Sequence, residues 1–141
     1  MDEQTRLRLE AEAETKTWLA SEEAETLRKV VVENCLAVAR DANPDDITRS
    51  FIKETITNVL LFIKKHKDYG SGNVAGFGEV GVVVRCNDKF ERLKNLIFSG
   101  NAPNNESIED NWRDVSNYGT IGFMTHVGSW TGCKQFTITQ K

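Results

Sequence analysis

The stretch Glu106-Ser-Ile-Glu-Asp-Asn-Trp-Arg-Asp-Val-Ser-Asn-Tyr118 opens in the way a helix opens. Asn104 or Asn105 can cap it, and Glu106, Glu109 and Asp110 place negative charge in its first turn, where the helix dipole favours it. Asp110 and Asp114 are four residues apart and fall on one face, with Asn117 a turn further on. Ile108, Trp112, Val115 and Gly119 form a second stripe suited to a core. Two stacked carboxylates repel each other unless a cation lies between them. A hard divalent ion such as Mg2+ (or Mn2+) is the cation that prefers carboxylate oxygens.

Working outward, the rest of the chain reads as helix too. Strand-like alternation is scarce and only two prolines occur. Residues 1–20 form a charged helical arm with little to pack. Ser21 to Arg40 has Leu27, Val31, Cys35 and Val38 at helical spacing. Asn43 can cap the next helix, with Pro44 at its first position. That helix runs to about Lys67, and Ile47, Phe51, Ile52, Ile56, Val59, Leu60 and Ile63 give it a wide apolar face, which makes it central. Gly70 suits its end, and Ser71 to Gly78 is a glycine-rich loop lacking both a Walker A ending and a preceding strand.

Val80 to Val84 admits either a short strand or the start of a third long helix, whose core stripe is Val83, Cys86, Phe90, Leu93 and Ile97. The last helix extends to Val127 or Trp130, with Gly119 and Gly122 marking close helix approach. Its second half, with Ile121, Phe123, Met124 and Val127, is apolar nearly all round, so it is buried or pairs with another subunit. The expected fold is therefore all-α, with about four main helices. It comprises a charged arm over 1–20, one helical domain over 21–130 and a tail over 131–141 that is a short strand or a loose end.

Composition narrows function. The formal net charge of −3 gives no broad basic footprint for duplex nucleic acid or a membrane surface, though a local basic cluster can still hold a small anion. The longest apolar run, Val59 to Ile63, is far too short to span a bilayer. Cys35, Cys86 and Cys133 are odd in number and widely spaced, and the start of the chain lacks a signal-peptide pattern. Both fit a reduced, cytoplasmic protein.

The chemistry-bearing residues lie on two helices. Asp88 and Glu91 are one pair, Asp110 and Asp114 the other. Facing each other, they would build an acidic pocket for one or two divalent ions, with Arg85, Lys89 and Arg92 nearby for phosphate. A surface salt-bridge ladder has the same spacing.

Three ordered motifs carry a family resemblance. They are Lys67-Asp-Tyr-Gly70 with its glycine-rich loop, Phe77 to Leu96, and Glu106 to Tyr118. Together they resemble the nucleotide modification associated domain (type 1) family, helical proteins frequent in bacteriophages and bacteria. More distantly they are similar to the all-α nucleotide pyrophosphohydrolases of the MazG type. The resemblance implies Asp88, Asp110 and Asp114 as metal or polar-core carboxylates, with Glu91 and Glu109 as secondary candidates. It also implies Arg85, Lys89 and Arg92 against phosphate, Lys67, Asp68 and Tyr69 bordering a nucleotide, and Asn117 at a base or sugar edge. The implied activity is Mg2+-dependent cleavage of a nucleoside or deoxynucleoside triphosphate, and the apolar second half of the last helix separately points to a homo-oligomer. The alternatives are a protein that binds a nucleotide without turning it over, and an accessory subunit of a nucleic-acid modification system.

Overall fold

The structure is a computed structural model that describes residues 1–133. The part of the expected tail beyond Cys133 lies outside the described residues. The described chain is all-α: α1 Glu3–Leu19, α2 Glu22–Ala39, α3 Asp46–Tyr69, α4 Gly72–Ala75, α5 Gly78–Ser99 and α6 Ile108–His126. No helix among the described residues is long and apolar enough to cross a membrane. All three cysteines are free.

The chain divides into two compact units, residues 1–57 and residues 58 onward. In the first, α1 is the charged arm and has no buried residue. Asp2 caps it by accepting the Thr5 N–H at 2.7 Å. Ser21 caps α2, which buries Ala24, Arg28, Val32 and Leu36. This differs from the expected stripe: Leu27, Val31, Cys35 and Val38 are exposed. One residue along a helix is a turn of about 100°. The buried set therefore faces a different way, because Arg28 folds inward to donate to the Leu19 carbonyl at 2.7 Å and to Glu25 at 3.1 Å. The cap of α3 is Asp45, which accepts the Thr48 N–H at 2.7 Å, so Asn43 and Pro44 precede the helix instead of opening it. Nor is α3 central: Thr57 is its one buried residue, and Ile47 and Phe51 are exposed.

The second unit is built on the α5–α6 pair. Its core is Val74, Val82, Ile121 and Trp130, with Phe62, Cys86, Tyr118 and Met124 packed against it. Trp130 Nε1 donates to the Ser71 carbonyl at 3.1 Å, and its ring meets Phe62 and His66 edge-on. The glycine-rich segment turns sharply after Gly70, whose φ of +65° glycine adopts most freely. It then makes the short α4 before α5 begins. Val80 to Val84 is helical and belongs to α5. On α5, Val82 and Leu93 are buried, while Val83, Phe90 and Ile97 of the expected stripe are exposed.

Candidate anion-binding site

Helix α6 starts at Ser107, not at Asn104 or Asn105. Ser107 Oγ accepts the Asp110 N–H at 3.0 Å, and Asp110 Oδ2 accepts the Ser107 N–H at 3.2 Å. This reciprocal capping box satisfies two otherwise orphaned backbone donors. It fixes where α6 begins, and the rotation of the helix differs from the expected one. Trp112 and Gly119 face outward, while Asp114 turns in and its side chain is 14% exposed. Asn111, nearly one turn before Asp114 on the same inward side, is fully buried and donates to the Ser107 carbonyl at 2.7 Å.

Asp114 is held by two ammonium groups. Lys65 Nζ, from the part of α3 that belongs to the second unit, lies 2.8 Å from Oδ1, and Lys89 Nζ lies 2.9 Å from Oδ2. Lys89, itself 18% exposed, also reaches Glu106 at 2.6 Å. Arg92 pairs with the Glu106 carboxylate at 3.6 Å and donates to its backbone carbonyl at 3.2 Å. Burial pulls the Lys89 ammonium down, but Glu106 and Asp114 outweigh it and its pKa ends above the ordinary lysine value. Lys65 follows the same balance, with burial opposed by Asp114, and also ends raised. Tyr118 sits beside the group. Burial and then the Asp114 charge push its hydroxyl up, against Arg85, Lys89 and Lys65. Three cations (Lys65, Lys89 and Arg92) thus meet two anions (Asp114 and Glu106) in a half-buried place, with Arg85 close enough to act on Tyr118.

Of the expected site residues, the structure brings together Lys89, Arg92 and Asp114, with Arg85 nearby. The others go elsewhere. Asp88 is exposed on α5, and Glu91 pairs with Lys94 at 2.5 Å. Asp110 serves the cap, and Glu109 is exposed. Lys67, Asp68 and Tyr69 are exposed at the end of α3. Asn117 donates to the Asn58 carbonyl at 3.1 Å, so it ties α6 to α3. Lys65, Glu106 and Tyr118 belong to the cluster and are not among the expected residues. Lys65 reads in sequence as an ordinary basic helix end, and its partner lies 49 residues away.

The donor set does not fit the Mg2+ (or Mn2+) that the resemblance implies. Both Asp114 oxygens face ammonium groups and Asp110 Oδ2 is engaged in the cap. Among the described residues no three His, Cys, Asp or Glu side chains gather into a group that could hold a metal ion. Compared with known proteins, the chain matches no family model, no curated protein and no solved structure.

Proposed function

We propose that this chain is a cytosolic protein that binds a nucleotide or dNTP through its phosphates, at the cluster where the C-terminal part of α3 meets α5 and α6. The observation that carries this reading is the excess of cations around Lys89, with Lys65 and Arg92 on either side of it. Asp114 and Glu106 hold the cationic heads in place before a ligand arrives, which lowers the ordering cost of binding. Lysine and arginine are the side chains that pair with phosphate oxygens. The pyrophosphohydrolase expectation asks the same carboxylates to take a metal, and here Asp114 holds two ammonium groups instead. Binding without turnover is the reading this arrangement favours.

The test is a panel of NTPs and dNTPs, with and without Mg2+ or Mn2+, read by melting temperature and by chromatography of products. A bound nucleotide raises the melting temperature by mass action. Arg92→Gln is expected to weaken binding roughly tenfold or more, since a hydrogen bond to a charged group contributes about 1.5–3 kcal/mol. Monophosphate plus pyrophosphate among the products would replace binding with hydrolysis. Neither shift nor product would sink both readings and leave the accessory subunit.

A further inference from the structure

The outward face of α6 carries Glu109, Trp112, Ser116, Gly119, Phe123 and His126, and all six are exposed. Their spacings alternate between three and four residues, the pattern of a helix-pairing seam. Any such seam is positionally symmetric. Here the residue types obey the symmetry as well, about a midpoint between Asn117 and Tyr118. Large Trp112 mirrors large Phe123, small Ser116 mirrors small Gly119, and acidic Glu109 mirrors His126.

We propose that this face docks a second copy of the same chain, antiparallel, about a two-fold axis through that midpoint. The axis lays Trp112 of one copy against Phe123 of the other and sets Ser116 against Gly119 at the crossing. Each Glu109 then meets an imidazole. Within its own chain that imidazole sets Nδ1 3.2 Å from Glu79, so bonding Glu109 of the second copy through Nε2–H as well takes the doubly protonated ring. A two-fold contact uses one patch twice, so a self-complementary patch is what it requires. On the Gly119 side the crossing has room, since a Cβ added there would meet nothing within 4 Å; on the other side Ser116 Oγ accepts from Asn58 Nδ2 of α3 at 3.0 Å. Small residues there let the axes approach closely.

The area suits a second copy. Trp112 is 50% and Phe123 66% exposed. Four such rings in a symmetric pair remove on the order of 400–500 Å2 from water. Val127 extends the same face, and Phe90, whose ring lies 6.5 Å from Trp112, flanks it from α5. Val83 is seven residues before Phe90 on the same side of α5. These additions bring the pair toward the low end of stable interfaces, about 1,200 Å2. The dimer is therefore expected to form reversibly and to depend on concentration.

Sedimentation of the full chain over a concentration series tests this. Wild type is expected to form a dimer and Gly119→Arg a monomer with unchanged helical circular dichroism, since the new side chain points into open space. In a Cys35→Ser background, Glu109→Cys and His126→Cys chains are expected to cross-link with a short thiol reagent when mixed, and neither alone above that background. Wild type that stays monomeric at millimolar concentration overturns the proposal. So does a Gly119→Arg dimer as tight as wild type. Cross-linking of either single variant alone overturns the antiparallel register.

Discussion

Asp114→Asn is the most informative single change, because it removes a charge and keeps the shape. Lys89 and Asp114 are 18% and 14% exposed and 2.9 Å apart. A hydrogen bond between charged groups in such a setting contributes about 1.5–3 kcal/mol. The Lys65 side is discounted, since that side chain is 55% exposed and screened by water. Lys89 keeps Glu106 at 2.6 Å, and the Asn oxygen still accepts one bond. The net loss is about 2 kcal/mol, which lowers the melting temperature of a unit this size by roughly 8–16 °C. Urea melts followed by circular dichroism measure it. Were Asp114 instead held among other carboxylates awaiting a metal, Asn would relieve repulsion and raise stability. A variant as stable as wild type, or more so, refutes the reasoning.

Two further outcomes concern the same unit. Ser107→Ala removes the capping box and is expected to cost about 1 kcal/mol in urea titration, with the slope of the transition unchanged. At alkaline pH the signs of Tyr118, Lys65 and Lys89 agree. Each has a folded pKa above its unfolded one, so the unfolded chain loses its proton first and stability falls as pH rises past 10.0 for Tyr118 and 10.5 for the lysines. Tyr118→Phe is expected to flatten the first part of that decline in a pH series of urea midpoints, and an unaltered profile would refute the role given to its hydroxyl.

The helices are legible in the sequence, and their faces are not. Periodicity marks where α2, α3, α5 and α6 run, because apolar recurrence and turn residues are local signals. Which stripe turns inward depends on partners far along the chain. Asp114 is inside because Lys65 and Lys89 meet it there, and neither pairing leaves a mark in the spacing of α6. Arg28 rotates α2 for the same kind of reason, through a carbonyl on α1. The start of α6 is readable: Ser107 with Asp110 three residues on is a capping-box spacing, and it ranks above an isolated Asn as a start signal.

The inward charge and the outward aromatic face of α6 have one cause. Turning the helix half a revolution would bury Trp112 and Phe123 and put Asp114 in water, the arrangement that apolar burial by itself favours. The observed rotation leaves Lys89 paired and both rings exposed. Uncovered, that surface costs the isolated chain burial energy that a second copy would recover. The two consequences separate cleanly under mutation. Asp114→Asn should weaken the fold and leave association intact, whereas Gly119→Arg should abolish association and leave the fold intact. If either change moved both properties together, the charge cluster and the docking face would be one structure and not two faces of one helix.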